Sequence, residues 1–365
     1  MTRPSPGTGT PLRVTPAGDM PFDQYQRYRI TGDLIAAASS ERPLGRVLDV
    51  GGHHEDFWGR PHRPIAETLP DVFSLTLDVA ANPLHGYIRG RGDALPVRDA
   101  AFDVVVSVDV LEHVPAGRRP ELLAELKRVA SRVVILAAPF ADPRVQRAEA
   151  VLASFVAEAC GYEQGQLAEH ARYGLPGLDA TLMGLGDGGW KVRVFPYGNL
   201  WRWLFMMIDK HAAAALPGSR DAHTALDAAF NTTWFERDTE PPCYRHFLVA
   251  ARREDEPMLA AAERRFRALA SPSPVPASPA DDQMLRLAEM HARSQAILAA
   301  SEPARRTAHI AEVEAHRDEM YRHLAARDEY IAKLKAQFRS VERSWSFRLG
   351  RLVRTLLPGR GSASS

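Results

Sequence analysis

RVLDVGGHHEDF (46–57), SLTLDV (74–79) and GDALPVRDAAFDVVVSVDVLEHV (92–114) are the pieces of one stretch, Arg46 to His113, around which the rest of the chain is arranged. Val47 to Val50, Phe73 to Leu77 and Val104 to Val108 are short β-branched and aliphatic runs, each bounded by turn-forming residues. Runs with no polar alternation suit strands buried on both faces, as in a parallel sheet. In such a sheet a ligand sits beyond the carboxyl ends of the strands. The residues that carry chemistry should therefore follow each run. Asp49 and Gly51 follow the first, Asp78 the second, and Asp109 and His113 the third, with Asp93 just before it.

These residues resemble the class I S-adenosylmethionine-dependent methyltransferases, of the methyltransferase type 11-like kind associated with bacterial cell-surface polysaccharide biosynthesis. The resemblance covers roughly Phe22 to Arg252. It implies an α/β fold: a Rossmann-like seven-stranded sheet, mostly parallel with a reversed last strand, and a helical insertion between the fifth and sixth strands. It also implies S-adenosyl-L-methionine as cofactor. Asp49, Gly51 and Gly52 match the first motif, Asp78 the ribose position, and Asp93 with Ala94 the adenine-side loop. Ser107 and Asp109 fall at the mouth of the site. Glycine lets the backbone approach a nucleoside, and a carboxylate accepts two vicinal hydroxyls. One departure is plain: the later glycines of the first motif are replaced by His53, His54 and Glu55, so the loop is expected to take a different path.

At 365 residues the chain has room for two or three domains, and 45% hydrophobic residues suffice for a sizeable core. A net charge of +1 argues against a general nucleic-acid binder. Cys160 and Cys243 cannot make a disulfide framework, which fits a reducing compartment. The N-terminus lacks the apolar core of a signal peptide, and no apolar stretch is long enough to span a bilayer. A cytoplasmic protein, at most peripheral at the inner face of the membrane, is expected.

Residues 1–20, rich in Pro, Gly and Thr, read as disordered, and 21–255 as the methyltransferase domain. The helical segment from Phe22 brings Tyr25 and Arg29 either to the cofactor mouth or onto the sheet edge. The histidines His53, His54 and His62 with Glu55 and Asp56 read better as cofactor-loop geometry than as a ligand set, and no metal ligand is assigned. The long segment 142–189 is read as the acceptor side, carrying Glu169, His170, Arg172 and Tyr173. The bulky run Trp201, Trp203, Phe205, Met206 and Met207 is read as core.

Residues 256–280 read as a helix and a Pro/Ser linker. In 281–342, Ile310, Leu324, Ile331 and Phe338 share one heptad position and Val313, Met320, Leu334 and Val341 another, the pattern of a coiled coil and of self-association. The tail 343–365 sets Trp345, Leu349, Leu352, Val353 and Leu356 among arginines. Such a stripe suits an anionic membrane surface or a partner such as a glycosyltransferase. The tail loosely resembles the SWxxxxPLR-type ending of proteins of surface-polysaccharide assembly.

Methyl transfer to a hydroxyl needs alignment and a base. His113 and His170 are the candidates for that base. The expected acceptor is a small molecule or a glycan, foremost a sugar hydroxyl or phosphate of a surface glycan or its lipid-linked precursor. A small-molecule C- or O-methyltransferase and a noncatalytic scaffold of the same fold are the alternatives.

Overall fold

The computed structural model describes residues 12, 14, 20–55, 61–81, 84–215 and 220–270, together with isolated helical positions between 313 and 339. The chain divides into two units, Met1–Leu298 and Ala299–Ser365.

In the first unit helix α1 (Phe22–Glu41) precedes strand β1 (Arg46–Val50). A two-strand hairpin, His54–Glu55 with Pro61–His62, and the five-residue helix α2 (Pro64–Thr68) follow. Then come β2 (Phe73–Asp78), β3 (Tyr87–Arg89), β4 (Phe102–Val108), α3 (Arg119–Val129) and β5 (Ala130–Pro139). Helices α4 (Pro143–Phe155), α5 (Gly165–Tyr173) and α6 (Leu178–Gly186) lead to β6 (Trp190–Asn199). Helices α7 (Leu200–Ala215) and α8 (Arg220–Ala229), strand β7 (Cys243–Arg252) and helix α9 (Glu256–Ala270) follow.

The seven strands form one sheet in the order β3-β2-β1-β4-β5-β7-β6. β1 to β5 pair in parallel, and β7 runs antiparallel to both β5 and β6. The valine runs earn their place by period-two alternation. Val104, Val106 and Val108 point into one hydrophobic cluster with α1, α4, α7 and α9, while Val105 joins Leu48, Val50, Val134 and Leu136 in the other, under α3 and α6. With both faces covered, these runs need no alternation of polar and apolar side chains.

Local chemistry sets the helix ends on the site side. Asp142 caps α4 by accepting from the Arg144 amide at 2.7 Å, with Pro143 in the first turn. Gln164 Oε1 caps α5 by accepting from Leu167 N at 3.0 Å, and Gly174, at φ +70°, ends it.

Two boundaries differ from expectation. Helix α9 is part of the folded domain, not of a linker beyond residue 255. Its Met258, Leu259, Ala262, Phe266 and Leu269 recur at helical spacing and are buried in the core with α1, and Arg265 pairs with Asp33 at 3.1 Å. Within 1–20, Leu12, Val14 and Met20 rest partly buried against that core, where composition alone predicts a solvated tail. Apolar side chains in a Pro-rich segment can still dock where a helix face offers them a groove. The Pro/Ser stretch 271–280 lies outside the described residues. Of the bulky run, Trp203, Met206 and Met207 are buried, with Trp203 stacked on Tyr244 at 3.6 Å, whereas Trp201 is exposed.

In the second unit the described positions from 313 to 339 are helical, and the heptad residues among them, Val313, Met320, Leu324 and Ile331, are exposed. Ile310, Leu334, Phe338, Val341 and the tail 343–365 lie outside the described residues. Among the described residues no helix is long and apolar enough to cross a membrane.

On α8, His223 sits between Asp209 (Nδ1 to Oδ2, 3.0 Å) and Asp227 (Nε2 to Oδ2, 3.2 Å). Burial alone would lower its pKa, but the two carboxylates outweigh it and raise the imidazole to about 9 from an ordinary 6.5. A folded-state pKa above the unfolded value gives stability that is full below the unfolded pKa and lost as pH rises through the folded one. Raising pH from about 6 to about 10 should therefore lower the thermal midpoint more in the wild type than in His223→Gln, read by differential scanning calorimetry of both proteins.

Candidate functional site

An open cleft of about 290 Å³ lies where the strand order reverses between β1 and β4. That is near the lower end of the roughly 300–1,000 Å³ typical of ligand clefts. Its floor is the carboxyl ends of three strands: Val50 and Gly51 after β1, Leu77 and Asp78 of β2, Val108 and Asp109 of β4. Arg27 of α1, His53, His54, His113 and, from α5, Gln166 and Glu169 form its walls.

The turn after β1 needs both glycines. Gly51 has φ +82° and donates its amide to Leu77 O at 2.7 Å, and a Cβ there would overlap Val110. A Cβ on Gly52 would overlap the carboxylate of Asp49. Beyond Gly52 the chain enters the histidine hairpin, so the helix that a glycine-rich turn opens is reduced to α2. His53 N reaches Asp78 Oδ2 at 3.3 Å, and His54 Nε2 lies 2.8 Å from the Tyr28 hydroxyl. Burial, with Arg27 nearby, pushes the His54 imidazole down to about 3.

Asp49 is 1% exposed, and neither carboxylate oxygen has a hydrogen-bond partner. Burial and then the charge of Asp78 push its pKa up to about 7. Asp78 accepts from Ala80 N at 2.9 Å as well as from His53 N, leaving further lone pairs toward the cleft it lines.

Asp109 is held differently. It is a non-glycine residue at φ +52°, and its carboxylate is gripped bidentately by Arg245 of β7 at 2.7 and 2.6 Å and by Arg27 at 3.2 Å. Burial alone would raise its pKa, but these guanidiniums outweigh that and lower it. Arg27 also meets Asp23, which Lys210 of α7 contacts at 2.9 Å, so an alternating chain of charges ties α7, α1, β4 and β7 together. Burial would raise Asp23 too, and Lys210 and Arg27 together hold it well below the carboxylate range.

On the far wall, His113 ends a short 3₁₀ turn after β4 that Arg119 pins by donating to Leu111 O and Val114 O and to the Tyr173 and Gly174 carbonyls at the end of α5. His113 Nδ1 lies 2.7 Å from Glu169, and its ring is 4.8 Å from that of His170. Burial, then His170, lowers the His113 pKa against the pull of Glu169, so the imidazole is neutral near pH 7. His170 is buried, with Nδ1 2.9 Å from Glu149, and Glu149 also accepts from Tyr244. Burial, and then Asp109, pushes the Glu112 carboxyl well above its ordinary range.

The site thus gathers Gly51, Asp78, Asp109 and His113 on the cleft, with Asp49, Gly52 and His170 directly behind its lining. Asp93 and Ala94 do not line it. The Asp93 carboxylate is clamped by Arg91 at 2.9 and 2.8 Å and by Arg118 at 2.9 Å, and the neighbouring Gly90 and Gly92 present backbone to the cleft instead. These side-chain pairings, first Arg91, hold the Asp93 pKa down. Ser107 is buried within β4, its hydroxyl without a partner. From the insertion, Glu169 and His170 come to the site, whereas Arg172 is exposed and stacks on Tyr173. On α1 the cleft residue is Arg27; Tyr25 and Arg29 turn toward Phe235 and Asp33. Arg245 is marked in the sequence by one signal, a charge inside the apolar strand YRHFLVAA.

Residues 68–137, from the end of α2 through most of β5, match the family described as methyltransferase domain, a stretch that includes two of the three strands forming the cleft floor, β2 and β4. An uncharacterized methyltransferase of Mycobacterium sp. (strain JLS) is 37% identical over 90 residues, 24% of this chain and 36% of that protein. One of Mycobacterium bovis (strain BCG / Pasteur 1173P2) is 33% identical over 111 residues, 27% of this chain and 40% of that protein. The chain therefore spans little more than a third of the length of these curated relatives. Among solved structures, the plantazolicin methyltransferase BpumL in complex with S-adenosylhomocysteine overlaps 64% of this chain and 85% of its own, at 12% identity and a TM-score of 0.39. Magnesium protoporphyrin IX methyltransferase from Synechocystis, also with S-adenosylhomocysteine, overlaps 63% and 84% at 14% identity and a TM-score of 0.37.

Two outcomes follow from the buried carboxylates. Because the folded-state pKa of Asp49 lies above its ordinary 3.8, ionisation opposes folding, and stability is lost as pH rises from about 4 to about 7. Asp49→Asn should melt at a higher temperature than the wild type at pH about 8 and converge with it near pH about 4, by calorimetry. Arg245→Met leaves Asp109 short of its bidentate partner and should cost about 3 kcal/mol or more in urea unfolding.

Proposed function

We propose that this chain is an S-adenosylmethionine-dependent methyltransferase that holds its donor at the tips of β1, β2 and β4 and its acceptor against α5. The observation that carries this reading is the convergence of Gly51, Asp78 and Asp109 on one cleft at the strand-order reversal, the last two within the stretch that matches a methyltransferase domain. Bound there, S-adenosylmethionine supplies a methyl group made electrophilic by its sulfonium sulfur.

The residues fit such a ligand. Asp78 keeps lone pairs for vicinal ribose hydroxyls. The Gly51–Gly52 turn brings bare backbone to the cleft. Asp49, buried and unpartnered, with Asp109 and Glu169 nearby, favours a cationic ligand, and Arg27 suits a carboxylate. A scaffold without catalysis has no use for the unpartnered Asp49, which only costs it stability.

On the acceptor side, Glu169 keeps the His113 proton on Nδ1, so Nε2 carries the lone pair that takes the proton of an attacking hydroxyl. His170 backs that ring and is itself oriented by Glu149. The acceptor we favour is a sugar hydroxyl or phosphate of a bacterial surface glycan or its lipid-linked precursor. The polar wall of Gln166, Glu169 and His113 supports a hydroxyl-rich acceptor, and the arginine-edged pattern of 343–365 supports work beside an anionic membrane or a membrane-bound partner. The heptad pattern supports a homo-oligomer. A quinone or secondary metabolite is the alternative acceptor class.

Calorimetry with S-adenosylhomocysteine should show one equivalent bound, with affinity weakened about tenfold or more in Asp78→Ala, whose lost contacts are charge-assisted hydrogen bonds. No heat of binding by the wild type would sink the assignment. His113→Gln should keep that affinity and lose about 10²–10⁴-fold in radiolabelled methyl transfer to purified lipid-linked glycan. Transfer only to quinones or small metabolites refutes the glycan.

A further inference from the structure

Three side chains meet at the inner wall of the cleft with more ordering than a lone base requires. Glu112 and His113 sit in the 3₁₀ turn after β4 and His170 on α5, and their donor atoms lie within 4.8 Å of one another. Glu112 is 1% exposed and His170 is 6% exposed. Glu112 Oε2 and His170 Nε2 nonetheless have no hydrogen-bond partner. Two buried polar atoms left without partners so near each other are costly unless one ligand satisfies both.

The imidazoles are oriented for such a ligand. His113 Nδ1 is 2.7 Å from Glu169 and His170 Nδ1 is 2.9 Å from Glu149, which is fixed in turn by the Tyr244 hydroxyl at 2.9 Å. A carboxylate accepts only, so each ring holds its proton on Nδ1 and offers a lone pair on Nε2. Carboxylates behind histidines, lone pairs in front, is the arrangement that presents imidazole to a metal.

We propose that Glu112, His113 and His170 form a binding site for a divalent transition cation of the zinc class. Two imidazole nitrogens and one carboxylate oxygen suit zinc or cobalt, whereas magnesium and calcium want oxygen ligands. Zinc bond lengths of about 2.0–2.2 Å put neighbouring donor atoms about 3.3 Å apart, so small side-chain rotations close the set. Two of the three ligands are buried and His113 lines the cleft, so the ion's fourth position opens toward the acceptor side. With the ion in place the His113 lone pair is committed to it, so in the metal-loaded protein His113 is a ligand and no longer the base, and an acceptor oxygen can enter the open position. The site rests on these three residues and holds whatever donor the cleft binds.

The test is titration of the metal-free full-length protein with Zn²⁺ and Co²⁺, followed by calorimetry and by cobalt visible absorption. One equivalent should bind, with the absorption of four-coordinate cobalt. His170→Ala and Glu112→Gln should each weaken binding at least tenfold. Glu149→Gln, which removes only a positioning residue, should weaken it about 10–100-fold. His62→Ala, on the hairpin, should change nothing. Absence of an equivalent in the wild type overturns the site, and so does binding that survives Glu112→Gln or depends on His62. Should His170→Ala fail to fold, Glu112→Gln and the wild-type cobalt spectrum still decide. S-adenosylhomocysteine titrated into the same preparation separates the two readings, because its binding without zinc binding defeats this inference alone.

Discussion

The carboxylate of Asp109, clamped between Arg245 and Arg27, is the constraint on which the rest of the site depends. It lies where β4 stops and the chain turns in a left-handed conformation, which aspartate tolerates better than most non-glycine residues. Arg245 comes from the antiparallel strand β7 and Arg27 from the first helix, so one side chain fastens both ends of the domain to its centre. Such a clamp is expensive to bury and is repaid only through tight geometry. It also determines where the next turn begins, and with it the position of Glu112 and His113.

Around this well-satisfied centre lie groups that are not satisfied. Asp49 has two oxygens without partners, and Glu112 and His170 each have one. Asp49 lies directly behind the cleft lining, and Glu112 and His170 lie beside His113 on its far wall. Proteins store such destabilisation where a ligand relieves it.

The insertion after β5 acts by the same logic. Helix α5 has a firm cap at each end and is tied by Arg119 to the turn after β4, so Glu169 and His170 meet His113 as parts of one rigid wall. A loop in that place would supply the same residue types without the registration. The 4.8 Å approach of the two imidazoles follows from that tie, since two helical ends, not two free side chains, hold the distance.

Much of this was legible in the residues themselves. Valine-rich runs between turn formers announced buried parallel strands, because only strands covered on both faces can dispense with polar alternation. Asp49, Asp78 and Asp109 stood at the ends of those runs, where a parallel sheet puts its ligand. The glycine pair followed by histidines announced a turn that could not continue straight into a helix. Long-range pairing was not legible. That Asp93 would be spent on Arg91 and Arg118, that Arg27 and not Arg29 would face the cleft, and that α9 would pack on α1 depend on contacts between residues far apart in the chain. So do the meeting of His170 with His113 and the reach of Arg245 to Asp109. Local sequence determines periodicity, turns and the order of strands. Which charge meets which is decided only when the sheet closes, because the energy of a buried ion pair depends on the distance between partners that no short stretch of chain contains.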